Sequence, residues 1–321
     1  MASEKKLGTV ESSEQLIFDL YIDLRRRIND WAKVTDQTAQ ARMGYIGQHL
    51  VSVVTGFPGG KSGARGMDIV LPNREFAEIK TCYRVDQLGK CLNCGAGVAS
   101  IEEKCVVCGS ADIDRKDDSK WLIGIRNVDE FDEILAPKTY YLVLFDFVGE
   151  NAPGTIRASI WTVDPMAPGF AFCMVDYYLE IRAKSKSKAP FNLWPFLPKF
   201  ELMGPTLIYR SLITEAVKTE VFPGRDAPQP YPLSPLKEFS RSRNVTDEAI
   251  NHFAKWLNHA FKGDLKKADK LEELDKYRGK FPTASFIDHL ADAVYWPRIE
   301  QHIDGLPDKL KAKIKAIKAK L

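Results

Sequence analysis

Apolar residues recur at helical spacing from the first stretch of the chain. Leu16, Leu20, Leu24, Ile28 and Trp31 form one stripe through residues 16–31, which predicts an amphipathic helix. Met43, Ile46, Leu50 and Val53 form a second stripe, and Gly56 stands where that helix should stop. The pattern then changes. Residues 57–66 contain four glycines and one proline and read as a loop. Two short apolar runs follow, 67–71 and 75–81, joined by Pro72, Asn73 and Arg74 as a hairpin. Further strands are predicted at 120–125, 139–148 and 155–163, with a short helical link at 128–135. This order predicts an α/β (α+β) fold: a mixed sheet flanked by helices, with an insertion between its strands.

Composition shifts after residue 182. Residues 183–235 are dense in proline and aromatic residues and read as a connecting segment. Residues 236–321 read as a helical C-terminal region, ending in a helix with Leu310, Ile314, Ile317 and Leu321 on one face and lysines on the other. The expected division is therefore a core over 1–182, the connecting segment, and the helical region. No apolar run reaches membrane-spanning length, and Asp146 interrupts the longest. The polar N-terminus has no signal-peptide core, so a cytoplasmic protein is expected. Net charge is 46 − 43 = +3 and decides little by itself. The basic residues do cluster, however, and six lysines lie between Lys309 and Lys320.

Three charged residues interrupt the hairpin's apolar runs: Asp68 in the first, Glu78 and Lys80 in the second. Charge is costly where a strand enters a core unless it is paired or binds something. Alternation puts Glu78 and Lys80 on one face and Ile79 on the other, where Ile79 is expected to fill the core with Phe76. Two carboxylates beside a lysine suit Mg²⁺-dependent phosphodiester hydrolysis. Asp68, Glu78 and the Ile79 carbonyl would offer oxygen ligands, and Lys80 would orient the attacking water. A plain Glu78–Lys80 ion pair is the simpler reading. In the glycine-rich loop, Lys61 and Arg65 are candidates for phosphate contact, set against an ordinary surface loop.

The cysteines carry a second signal. Cys91, Cys94, Cys105 and Cys108 form two CxxC pairs, each followed by glycine (Gly95 and Gly109). Four thiolates suit a closed, structural Zn²⁺ site, with iron as the minority alternative. Cys82 and Cys173 have no such partners and read as buried apolar residues. Between Lys80 and Cys91, the residues Arg84, Gln87 and Lys90 are candidates for contact with DNA bases or phosphates.

The spacing Asp68, Glu78, Lys80 resembles the signature of the PD-(D/E)XK nuclease superfamily, which includes most type II restriction endonucleases. Two departures stand out. Met67 precedes Asp68 where proline is frequent, and Gln48, with His49 beside it, occupies the place of an acid contributed by the preceding helix. Gln48 is accordingly a candidate catalytic residue, able to ligate metal through its amide oxygen or through water. The wider succession from Ala41 through Lys90 and Cys91 is similar to the MamI-like group. That resemblance implies a restriction-endonuclease-like core and a Mg²⁺-dependent, sequence-specific double-stranded DNA endonuclease. It further implies 5′-phosphate ends, a palindromic or interrupted palindromic site, a homodimer, and a cognate DNA methyltransferase as genetic partner. Two alternatives remain open: a zinc-ribbon DNA-binding protein without catalysis, and a repair or junction nuclease of the same fold.

Overall fold

The computed structural model describes residues 5–39, 44–60, 68–85, 87–100, 102–116, 118–126, 130–148, 155–165, 170, 173–174, 177, 181–182 and 189–232. Lys61, Arg65, Met43, Met67 and the C-terminal helices expected over 236–321 lie outside the described residues.

The first expected helix is two. Helices α1 (Val10–Ile17) and α2 (Leu24–Thr35) flank a π-helical segment, Phe18–Asp23. Thr9 caps α1 by accepting the Ser12 N–H at 3.3 Å. The buried line is Ile17, Tyr21, Arg25 and Ala32, beside the expected stripe, while Trp31 is 68% exposed. The expected stripe lies one residue to the side: Leu16, Leu20, Leu24 and Ile28 are half-buried, and Leu16 and Leu20 pack at the margin of the core. Arg25 is buried because the Glu102 carboxylate meets its guanidinium at 2.6 Å. Helix α3 (Gly44–Thr55) ends as expected: Gly56 takes φ +79° and donates its N–H to the Ser52 carbonyl.

Strands β1 (Ile69–Val70) and β2 (Phe76–Tyr83) form the expected hairpin, with Asn73 and Arg74 at positive φ in its turn. Strands β3 (Leu88–Cys91), β4 (Gly97–Ala99) and β5 (Ile113–Asp114) make a separate small sheet in the order β4-β3-β5. Beyond lie β6 (Trp121–Ile123), α4 (Glu130–Leu135), β7 (Thr139–Phe147), β8 (Ile156–Val163), β9 (Phe191–Leu193), α5 (Pro198–Leu202), β10 (Thr206–Ile213) and β11 (Val217–Val221).

The main sheet runs β1-β2-β7-β8-β10-β11. Strand β2 pairs antiparallel with β1 and parallel with β7, so the sheet is mixed. The fold is α+β. One sheet face carries Ala77, Ile79, Tyr141, Val143 and Phe145, packed against Ile17, Tyr21, Ile46, Leu50 and Val54 from α1, the π-helical segment and α3. Phe76 does not share that face. Alternation places it with Glu78, and it is only half-buried, whereas Ala77 is fully buried.

Two strand assignments also differ from the sequence reading. Strand β6 pairs with β9 in a two-stranded sheet rather than joining the main one. Strands β10 and β11 lie inside the proline-rich span 183–235, and β10 pairs antiparallel with β8. Proline marks the ends of these strands, at Pro205 and Pro223, and is absent from their interiors.

By contacts the chain divides into two units. The first comprises the described residues up to Trp121 with Thr139–Thr162 and Thr206–Gln229, and holds the main sheet and the cysteine segment. The second is drawn from Leu122–Lys138, Val163–Pro205 and the described residues from Pro230. Its buried side chains include Ile123, Phe170, Tyr177, Phe191 and Phe200. Among the described residues, no helix is long and apolar enough to cross a membrane.

The approach of α3 to β2 depends on one missing methyl group. A Cβ at Gly47 would stand 2.1 Å from Thr81 Oγ1 and 3.0 Å from Thr81 Cβ. Gly47→Ala is expected to destabilise the protein by about 1–3 kcal/mol through overpacking. Adding Thr81→Ala should recover much of that loss. Urea unfolding of the two variants checks it: equal losses would show that Gly47 does not set this approach.

Candidate catalytic centre and four-cysteine site

The sheet brings Asp68, Glu78, Ile79, Lys80 and Gln48 together. Asp68 immediately precedes β1, whose ladder with β2 ends at the pair Ile69–Ala77. Beyond that pair the edge of β2 meets a side chain instead of a strand: the Ile79 N–H donates to Asp68 Oδ2 at 2.8 Å. Backbone N–H and C=O of one strand residue leave on the same edge, so the Ile79 carbonyl is directed toward Asp68 as well. Gln48 reaches over from α3 and donates its amide Nε2–H to Asp68 Oδ1 at 3.1 Å.

Glu78 and Lys80 stand on the face opposite Ile79. Lys80 Nζ is bonded to Glu78 Oε1, and the two side chains are 28% and 13% exposed. Glu78 Oε2 is buried and has no protein partner. Burial pushes the Glu78 carboxyl above its ordinary value; Lys80 opposes the rise and Asp68 adds to it. The neighbour of Glu78 across the parallel ladder is the buried Tyr140. Burial, and secondarily the Glu78 charge, holds the Tyr140 phenol far above its usual range. No sequence signal marked Tyr140, because its place beside Glu78 depends on which strand pairs with β2.

Two carboxylates, one with an orphaned buried oxygen, and a carbonyl on the same edge form an oxygen donor set. Such a set fits a hard divalent cation. Other candidates stand apart from it. The Gln87 side chain donates to the Tyr83 carbonyl at 3.2 Å and so helps close the turn after β2. Arg84 continues the parallel ladder, its N–H donating to the Phe145 carbonyl. Lys90 is exposed on β3. An additional ion pair lies on β7 and β8, where Arg157 grips the buried Asp146 with two guanidinium nitrogens. Asp146 was conspicuous in its apolar run; its partner was not.

The cysteines converge as their spacing implied. Sγ atoms of Cys91, Cys94, Cys105 and Cys108 all lie within 4.8 Å of one another, with two separations of 3.6 Å. A tetrahedral ion with sulfur ligands at about 2.3 Å sets sulfurs roughly 3.8 Å apart, so the cluster has room for one. The two knuckles share a backbone pattern. Gly95 and Gly109 have φ of +78° and +73° and donate their N–H groups to the Cys91 and Cys105 carbonyls. The N–H groups of those two cysteines in turn donate to Ala96 and Ser110. The Ser110 N–H, with the Asn93 amide, draws the Cys108 thiol down, while Cys108 and its other neighbours push the Cys94 thiol up, so the four sulfurs ionise as a group rather than alike. Cys82 and Cys173 are buried outside the cluster.

The Glu78 shift makes a prediction for stability. A carboxyl whose folded pKa lies above its unfolded value of about 4.3 favours folding in its protonated form. That contribution is present below the unfolded value and lost as pH rises through the folded one. Glu78→Gln should therefore raise the denaturant midpoint at neutral pH in Mg²⁺-free buffer, with the gain shrinking toward about pH 4. A lower midpoint at neutral pH would mean that the Lys80 pairing outweighs burial.

The profile of the MamI restriction endonuclease family matches residues 30–234, a span that contains Gln48, Asp68, Glu78, Lys80 and all four clustered cysteines. The chain is also similar to the type II restriction enzyme MamI of Microbacterium ammoniaphilum, 27% identical over 165 residues. That alignment covers 50% of this chain and 47% of the relative, so the chain spans about half the length of the protein it matches. No solved structure matches. With the family profile running from α2 through the last strands of the main sheet, the chain belongs to the MamI restriction endonuclease family.

Proposed function

We propose that this protein is a Mg²⁺-dependent, sequence-specific double-stranded DNA endonuclease of type II. The observation that carries the reading is the meeting of an anchored Asp68, a half-buried Glu78 with a buried, open oxygen, and Lys80 on one edge and face of β2. Asp68, Glu78 and the Ile79 carbonyl are the cation's protein ligands. A divalent cation in such a site supplies Lewis-acid polarisation of water and of phosphate oxygens.

The chain's own groups do the rest. Glu78 holds the Lys80 ammonium next to the reacting phosphate, where its charge offsets negative charge developing on the phosphate oxygens. Lys80 also orients the attacking water in line with the leaving 3′ oxygen, giving a 5′-phosphate end. The neighbouring, buried Tyr140 limits solvent around Glu78 and so strengthens its interaction with Lys80. The four cysteines hold a structural Zn²⁺, a closed sulfur set with no position left for substrate. The site cut is palindromic or interrupted palindromic and is read by a homodimer, whose two-fold symmetry mirrors that of the site. Lys61, Arg65, Arg84 and Lys90 contribute DNA contacts, and a cognate methyltransferase protects the host sequence.

Mixed-sequence DNA incubated with the protein and Mg²⁺, followed by sequencing of the ends, tests the reading; binding without strand scission would defeat it. Lys80→Ala should lower cleavage about 100-fold or more, a loss of several kcal/mol in transition-state stabilisation, while specific DNA binding persists. Cleavage at a near wild-type rate would remove Lys80 from the mechanism. For the second metal, elemental analysis should find about one zinc per chain. Cys105→Ser should lose that zinc and lower thermal stability, and a reduced wild-type protein without zinc would rule out this assignment.

A further inference from the structure

Asp68 enters the centre with both oxygens already engaged. Oδ1 accepts the Gln48 amide at 3.1 Å and Oδ2 accepts the Ile79 N–H at 2.8 Å. Chemistry fixes the direction of the amide. Turned over, Gln48 would set its own oxygen against a carboxylate oxygen with no proton between them. A carboxylate oxygen has about two lone-pair directions, so about one remains on each. Glu78 is divided in the same way, with Oε1 held by Lys80 and Oε2 open.

This inventory limits how many cations fit. In paired-metal sites the second ion stands about 3.5–4 Å from the first and needs oxygen ligands of its own. Among the described residues, no third carboxylate or imidazole joins Asp68 and Glu78; the four cysteines are the one cluster of three or more metal-binding side chains. On the α3 side of Asp68, where a further ligand would have to enter, stands the donor end of Gln48. Its N–H groups carry partial positive charge and repel a cation.

We infer that the centre takes a single divalent cation, shared by Asp68 and Glu78. Gln48 is a positioning residue: it fixes the Asp68 carboxylate and closes the place of a second ion. The close seat of α3 on β2 at Gly47 and Thr81 supports this role, since it sets the reach of the adjacent Gln48. The inference rests on the assignment of Asp68 and Glu78 proposed above.

The test counts ions directly. Mn²⁺ is titrated into the full-length protein, in the presence and absence of DNA, and bound ions are counted from the loss of the free Mn²⁺ electron paramagnetic resonance signal. Asp68→Asn identifies the ions that belong to this centre. One Asp68-dependent ion per chain is expected in the wild type. Gln48→Ala should keep one but weaken it about tenfold or more, as loss of an orienting partner does. Gln48→Glu, which puts an acceptor where the donor stood, should bind two.

Two Asp68-dependent ions in the wild type, or one ion of unchanged affinity in Gln48→Ala, would overturn the inference and leave the catalytic assignment standing. Mn²⁺ binding indifferent to Asp68 would instead remove the assignment, and the inference with it.

Discussion

The parallel pairing of β2 with β7 is the constraint on which the architecture turns. Parallel neighbours cannot be joined by a tight turn, so the chain must leave β2 at Tyr83 and travel before re-entering at Thr139. The cysteine segment, β6 and α4 all fall within that excursion. A long crossover costs little more closure entropy than a shorter one, but its own backbone must be satisfied. Here the two knuckles and the β4-β3-β5 sheet meet that need locally. Arg25 and Asn29 of α2 both donate to Glu102, tying the segment back to the helical layer.

The same pairing gives β2 its unusual surroundings. Strand β2 has β7 on one edge and, past the two-residue β1, the Asp68 side chain on the other. Glu78 is thereby trapped between Tyr140 and Lys80 in a site that disfavours its charge. Hydrophobic residues there would make a steadier fold, as they do at Ala77 and Ile79 on the opposite face. The protein keeps instead a carboxylate with an unused oxygen. Under the function proposed above, such a group is costly only until a cation satisfies it, so part of the binding energy is stored in advance.

Much of this was legible in the sequence. The Asp68 hairpin, the strands at β7 and β8 and the cysteine knuckles follow from local chemistry: turn residues, alternation, and glycine after CxxC. The misses have tertiary causes. The most buried row of α1 and α2 lies one residue beside the apolar stripe because the sheet, not the helix's own periodicity, decides which line faces the core. Strands β10 and β11 were hidden by flanking prolines, although Thr206–Ile213 alternates buried and half-buried positions throughout. The Gln48–Asp68 and Arg157–Asp146 contacts were unreadable, since each joins elements whose adjacency only the folded sheet creates. Gln48 itself was marked by family resemblance, but its hydrogen bond to Asp68 needed the geometry.

One feature near the centre bears on how Asp68 is held. Before residues 61–67 the chain is stitched to the chain after them: Gly60 donates to the Asp68 carbonyl at 2.9 Å, Val70 donates to the Pro58 carbonyl, and Gly59 bridges Ile69. These bonds hold Asp68 from its backbone, independently of what lies between. Closing a flexible connection between two ends fixed in this way costs only about 0.6 kcal/mol more for each doubling of its length. The Asp68 backbone stays where it is. A change between Gly60 and Asp68 thus leaves the aspartate's tie to the neighbouring backbone in place.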